Sequence, residues 1–430
     1  MTPGPLTRPE VWGGIECTHN RVGGRFHSQL DASGHSARIE ADLDRFVTLG
    51  IARLRYPVLW ERVEAVRGVF DFRESDRALG HLGAGPVRPV VGLLHHGSGP
   101  AWTSLDDEGF PERFAVYAEA VARRYPWVDD YTPINEPLTT ARFSGLYGHW
   151  YPHGRNDGSF VRMLVLQARA TVLAMRSIRR VNPAARLIQT EDLGRATGTP
   201  PLEDQVTFEN DRRWLTFDLL SGKVTPQHPL HDYLTSSGGA DAAALAWFVD
   251  HPSVPGVLGI NHYPRSNRWL DHRRELFDPA DHGGNGRMAY ADVAASDVAL
   301  AVAPTLSSLI RETSARYGGA VAVTEIHVDG DAVARVAWWE AALGEVEHAR
   351  SHGSIVCAVT AWSLLGSFDW DTLCTSVDAS ADRTVTYEAG VFDVSAGEPA
   401  ETPMAEAVRR AYAPNTAPVA ARWARTVARE

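Results

Sequence analysis

The chain has 430 residues, 44% hydrophobic and 22% charged, a balance that excludes collagen-like, disordered and disulfide-scaffold proteins. Its 42 basic and 53 acidic residues leave a net charge of −11, the wrong sign for a general binder of nucleic acid or anionic membrane. The three cysteines, Cys17, Cys357 and Cys374, are too widely spaced to suggest a disulfide framework or a zinc motif.

Short β-branched runs alternate with amphipathic segments along the chain. The pattern predicts strands at Val11–Glu16, Ala52–Val58, Pro89–Leu94, Asp130–Glu136, Arg186–Glu191, Val257–Tyr263, Ala320–Glu325 and Ile355–Trp362. Helical periodicity falls between them, at Ser36–Leu49, Pro111–Arg124, Phe160–Val181, Asp211–Leu220, Asp297–Tyr317 and Ala332–Arg350. Eight β/α repeats predict the α/β class and a (β/α)8 TIM barrel, a single domain over residues 1–412 with a tail at 413–430. The rival is an open doubly wound sheet, and no G-x-G-x-x-G follows the first strand to support its dinucleotide-binding form. Asn267–Ala295 and Asp371–Pro399 read as long polar loops after strands six and eight, on the face where barrels build active sites. MTPGPLTRPEVWGG lacks the regions of a secretory signal, and no stretch reads as a membrane span. A cytoplasmic protein without membrane or nucleic-acid partners is expected.

Carboxylates stand at two strand ends. Strand four ends DDYTPINEP, with Asn135 and Glu136 before Pro137, and strand seven ends AVAVTEIH, with Glu325. A glutamate ending a buried apolar strand needs partners or a task, although either one alone could be a solvated loop-edge residue. On strands four and seven the two face each other across the barrel mouth. A retaining glycosidase needs that arrangement, one acid/base and one nucleophile roughly 5 Å apart.

These motifs, in this order from Val11 to about Tyr412, resemble family 1 glycoside hydrolases. TPINEP is similar to the family's acid/base motif, which implies Glu136 as acid/base and Asn135 as the ligand of the sugar 2-hydroxyl. VTEIH is similar to its nucleophile motif, which implies Glu325, with Ile326-His327 in place of the usual Asn-Gly. LRYPVLW implies Arg55 beside the nucleophile, GLLHH implies His95 on the glycone, and GINHY implies Asn261 and Tyr263. AWSLLGSFDW implies Trp362 as a sugar platform, with Asp369 and Trp370 at the glycone end. Departures from the family pattern fall on sugar recognition: Asn20 in place of a glutamine, Asp369 in place of a glutamate, and His95-His96 in place of His-Trp. Two acceptors, each a methylene shorter, imply a glycone other than glucose or galactose. Arg55 and Tyr263 are expected to lower the pKa of Glu325, and burial beside an anion to raise that of Glu136.

Trp102, Trp150 and Trp269 also fall in or beside the loops, whereas Trp12, Trp214 and Trp338 read as core. His149, His153, His262 and His327 lie near strand ends without metal-ligand spacing. His95 and His96 are expected to point to opposite faces of their strand. Glu191-Asp192, after strand five, could line the mouth or cap the next segment. The expectation is a retaining β-glycoside hydrolase that takes a small glycoside or oligosaccharide, with no metal and no cofactor. The alternatives are a transglycosidase on the same intermediate, a non-catalytic sugar-binding barrel, and a metal-dependent barrel hydrolase.

Overall fold

The computed structural model describes residues 8–298, 304–370, 373 and 386–412. Eight parallel strands close into a barrel: β1 (Glu10–Gly14), β2 (Arg53–Pro57), β3 (Arg88–His95), β4 (Asp130–Asn135), β5 (Arg186–Asp192), β6 (Val257–His262), β7 (Ala320–Ile326) and β8 (Val356–Ala361). Each pairs with its sequence neighbours, and β1 closes the ring against β8. Every residue of β4 and β6 is buried, as a strand between barrel interior and helix layer requires. Trp12, Val90, Ile188, Val257, Ala322 and Ala358 fill one end of the interior as a packed layer. The eight strands agree with the sequence pattern to within a residue or two.

The helices agree less closely. The segment expected to start at Ser36 is helical only over Ile39–Val47 (α1), after a 3₁₀ turn at His35–Ala37. Arg73–Ala84 (α2) is helical although no helix was read there, because Gly80 and Gly83 weaken its pattern. A Cβ at Gly83 would lie 3.1 Å from the Trp127 indole, so packing accounts for that glycine. Phe110–Arg124 (α3) and Asp157–Val181 (α4) match expectation. The predicted Asp211–Leu220 divides into Glu203–Arg212 (α5) and Leu215–Leu220 (α6). Ala242–Asp250 (α7) was also not anticipated. The helix expected from Asp297 begins at Leu306 (α8, Leu306–Tyr317), where the Thr305 side chain caps it by accepting from the Ser308 amide. Ala332–Ser351 (α9) is as expected.

Two corrections bear on the barrel's surroundings. α4 is long and apolar enough to cross a membrane, contrary to the sequence reading, but most of its apolar window is buried within the protein. The supposed loop after β6 is largely a sheet. Arg268–Asp271, His282–Gly284 and Ala289–Ala294 join Ala196–Gly198 in four strands. Leu202, Leu270 and Tyr290 give it a small core of its own, too few apolar positions to stand out among the Gly, Asp and His of this stretch. Within the predicted 371–399 loop, the described part pairs Tyr387–Glu388 with Ser367–Phe368; most of the remainder, like the predicted tail at 413–430, lies outside the described residues.

Candidate active site

The C-terminal strand ends carry nearly all the polar groups singled out in the sequence. β4 and β7 place their glutamates by different means. Glu136 follows the last residue of β4 with φ 44°, a left-handed conformation that breaks the strand before Pro137 starts a helical turn. Its amide donates to the Thr190 carbonyl at 3.2 Å, tying the turn to β5.

Both β5 and β7 end in Thr-Glu, yet only one of these glutamates reaches the site. β5 keeps regular register against β6, and its Thr190 hydroxyl donates inward to Asn135 Oδ1 at 2.7 Å. Alternation then turns Glu191 outward, where it accepts from the Leu138 amide at 2.8 Å and the Thr216 hydroxyl at 2.5 Å. Glu191 therefore caps the turn after β4 and does not line the mouth. On β7 the register slips between Val323 and Glu325 against β6, and between Val323 and Ile326 against β8. This bulge allows the Thr324 hydroxyl to reach Asn261 Oδ1 at 2.6 Å while Glu325 still faces the site.

Glu325 is 2% exposed. Arg55 Nη1 donates to its Oε1 at 2.8 Å and to the Thr324 carbonyl at 2.7 Å, and the Tyr263 hydroxyl donates to Oε2. Glu136, also buried, accepts at Oε1 from Asn261 Nδ2 at 2.5 Å. Asn135 links the two sides, since its Oδ1 accepts from Arg55 Nη2 at 2.8 Å as well as from Thr190. Tyr263 thus meets Glu325 as the sequence reading expects, while Asn261, grouped there with the sugar-binding residues, holds Glu136.

Burial pushes both glutamates up, and their partners separate them. Glu325 rises to about 7 because desolvation outweighs the Arg55 charge and the Tyr263 hydrogen bond. The sequence expectation of a lowered value is corrected: both partners pull downward and burial wins. Glu136 is raised well above the carboxylate range, first by burial and then by the negative charge of Glu325 and Asp192. The nitrogen beside its other oxygen, His96 Nε2 at 3.6 Å, belongs to a neutral imidazole and does not offset this, so Glu136 keeps its proton while Glu325 ionises first.

The two histidines correct another expectation. His96 has φ 55°, outside the strand conformation, so alternation no longer applies. Both imidazoles face Asn135 Nδ2, at 3.4 Å from His95 Nε2 and 3.3 Å from His96 Nε2. Burial and the nearby Arg55 charge push His96 down to about 3, and burial likewise lowers His95, so both are neutral near pH 7. His95 stacks on Trp362 with centroids 5.6 Å apart, and Arg55 lies 4.7 Å from the same indole.

Asn20 sits on a hairpin, His19–Val22 against Arg25–Ser28, and is 1% exposed with neither amide atom partnered. A buried amide without a partner suits a site that a ligand completes. Asp369 has φ 53° and accepts from the Thr386 amide at 2.9 Å, so part of its carboxylate holds the loop. Trp370 packs against Trp150 and His96. Trp12 and Trp214 are core, as expected, while Trp338 stacks on His262 at 6.0 Å. Trp269 belongs to the added sheet, where its indole donates to Asp271.

Three contributors escaped the sequence reading or were undervalued. Gln29 clamps the Phe368 backbone, donating to its carbonyl at 2.6 Å and accepting from its amide at 3.0 Å. Glu16 accepts from the Thr18 amide at 2.9 Å and lies 4.0 Å from His95 Nε2. Thr324 supports the bulge. The sequence signals for these were Glu16 standing near Asn20 in WGGIECTHN and the Thr-Glu pairs at two strand ends. Among the described residues, no three His, Cys, Asp or Glu side chains gather as a metal-ligating group.

This architecture can be matched to solved structures. A family 1 β-glucosidase from Thermotoga maritima superposes with a TM-score of 0.73 over 94% of this chain and 97% of its own, at 15% identity. The fold is that of the family 1 β-glucosidases. The same Thermotoga enzyme in complex with glucoimidazole gives a TM-score of 0.73 at 14% identity, over 94% of this chain and 98% of that one. Its cyclophellitol complex gives 0.71 at 15% identity, over 94% and 96%. No protein-family model matches the sequence, and a search of curated proteins found no match. The β-glucosidase fold is therefore shared at an identity where sequence comparison alone finds nothing.

Proposed function

We propose that the protein is a retaining glycoside hydrolase acting on β-glycosides. The observation that carries this reading is the unequal support of two buried carboxyls: Glu325 is held by a guanidinium and a phenol, Glu136 by an amide with a neutral imidazole, His96, 3.6 Å away. Glu325, ionising near 7, is the group suited to attack the anomeric carbon. Glu136, still protonated, is suited to donate to the departing oxygen. Once the ester forms, the charge on Glu325 is gone and the proton affinity of Glu136 falls. Glu136 then takes a proton from water, which attacks the intermediate and releases the sugar. Asn135 Nδ2, beside two neutral imidazoles, is placed to strengthen a 2-hydroxyl contact as the ring flattens. The Thermotoga complexes with deoxynojirimycin and glucoimidazole support a sugar-sized ligand on this scaffold.

The glycone is a sugar other than glucose or galactose. Asp369 gives part of its carboxylate to Thr386, and Asn20 is a short amide, so neither spans two adjacent hydroxyls as a longer side chain would. Azide tests the role assignment. Glu325→Ala should be rescued to the inverted glycosyl azide, because azide enters from the vacated face. Glu136→Ala should give the retained product, because azide attacks the covalent intermediate. The same anomer from both variants would refute the assignment.

A further inference from the structure

We propose that Arg142 makes the leaving-group side of the mouth a binding site for an anionic aglycone, one bearing a carboxylate or a phosphate. The inference rests on the glycosidase reading and extends it to the half of the substrate that departs.

Position comes first. The groups assigned to the sugar ring stand on the β8, β1 and β3 side, at Trp362, Asn20 and His95. In the closed ring β5 lies opposite β1. The segment that leaves β4 after Glu136 and runs along the β5 side therefore lies on the side of the mouth away from those groups, past the proton donor. Arg142 lies there. It ends the helical turn Pro137–Ala141 that starts directly after Glu136, and it is within electrostatic reach of Asp192 at the end of β5.

Its partners come next. Arg142 Nε donates to the Tyr147 hydroxyl at 3.1 Å, and its guanidinium carbon lies 5.5 Å from that ring's centre. Among the described residues, no carboxylate comes within ion-pair distance, and neither Nη1 nor Nη2 makes a hydrogen bond. The nearby acids are engaged elsewhere. Glu209 accepts from Arg212 and from Gln205 at 2.9 Å, and Asp192 accepts from the Ser266 hydroxyl. The fully buried arginines are different: Arg55 has three acceptors, Arg212 has Glu209, and Arg213 has Glu312 and the Gly194 carbonyl.

A guanidinium cannot shed its proton, and the two Nη groups without a protein acceptor are met by solvent alone, which a bound anion can displace. The two free Nη groups form the fork that matches a carboxylate or phosphate edge with two parallel hydrogen bonds. Arg142 is only partly buried, which leaves the fork reachable from the mouth. An anion on the leaving group would satisfy it.

The test uses β-glycosides of one glycone with 4-carboxyphenyl, 4-phosphonooxyphenyl and neutral 4-carbamoylphenyl leaving groups. We expect wild-type kcat/KM to favour at least one anionic substrate over the carbamoyl one by about tenfold or more. That ratio should fall by about tenfold in Arg142→Gln and by less in Arg142→Lys. Intrinsic differences in leaving ability cancel between variant and wild type, and a global folding defect leaves the ratio unchanged. The carboxylate and phosphate arms separate the two sources of charge. An equal ratio in wild type and Arg142→Gln would overturn the inference. Calorimetric titration with the corresponding thioglycosides, which resist cleavage, separates the two readings. Charge-selective binding lost in Arg142→Gln, with no turnover of any glycoside, upholds this site and sinks the hydrolase. Turnover without charge selectivity does the reverse.

Discussion

Tyr263→Phe removes one hydroxyl from the surroundings of Glu325 and leaves the ring that carries it. That hydroxyl donates to Glu325 Oε2, a bond to a charged acceptor only when the carboxyl is ionised. Such a bond contributes about 1.5–3 kcal/mol, and a shift of one pKa unit corresponds to about 1.4 kcal/mol. Its loss should therefore raise the proton affinity of Glu325 by about one to two units above the present value of about 7. The sign follows from chemistry. Only ionised Glu325 attacks, so the acid limb of kcat/KM moves to higher pH. Near pH 6, about a tenth of the wild-type nucleophile is ionised, against about a hundredth or less in the variant. Activity should fall about tenfold or more there, and the deficit should shrink as pH climbs past the limb. The assay is kcat/KM for an aryl β-glycoside from about pH 5 to about pH 9. A uniform loss with an unmoved limb would refute the reasoning, because Tyr263 would then act on something other than the charge of Glu325.

Across aryl β-glycosides of glucose, galactose, fucose, xylose and arabinose, the preferred glycone should exceed glucose by about one to two orders of magnitude in kcat/KM. A lead of about tenfold for glucose or galactose would contradict the reading of Asn20 and Asp369. Burial holds Glu61 at about 8, so its folded-state proton affinity exceeds the unfolded one. Its contribution to stability is then complete below the ordinary glutamate range and is lost as pH rises toward about 8. Glu61→Gln should raise Tm over wild type in mildly alkaline buffer and much less near pH 4.5, and an equal change at both would contradict this. Dialysis against EDTA should leave turnover unchanged, because Arg55, Tyr263 and Asn261 already address the two carboxyls. Loss of activity restored by zinc or manganese would sink the two-carboxylate account.

The barrel was legible because a parallel strand buried on both faces must be a short apolar run, and eight such runs stood apart in the chain. Glu136 and Glu325 were legible because charge at the end of such a run is rare. What remained hidden depends on departures from regular geometry. Alternation predicted that His95 and His96 diverge, and the left-handed backbone at His96 cancels it. Thr-Glu at the ends of β5 and β7 reads alike in sequence, and only the bulge separates the glutamate of the site from the one that caps a turn. The added sheet was missed because its strands alternate weakly and bury only a few side chains. The pKa of Glu325 was misjudged because partners can be named from motifs, whereas burial depends on everything that packs around the site.

The break in β7 has a consequence for amide exchange. Where the ladder slips, Thr324 is paired on neither edge and Glu325 on the β6 edge alone, and pairing on both edges resumes at Ile326. Side chains bridge the break: Arg55 on the Thr324 carbonyl, Thr324 on Asn261, and Tyr263 on Glu325 itself. Local opening at this break should therefore be governed by those three contacts and not by global unfolding. Deuterium uptake at Thr324 and Glu325 should outpace that at Val321–Val323, and Arg55 substitution should quicken it while the far end of the barrel stays protected. A ligand that engages Glu325 should slow it.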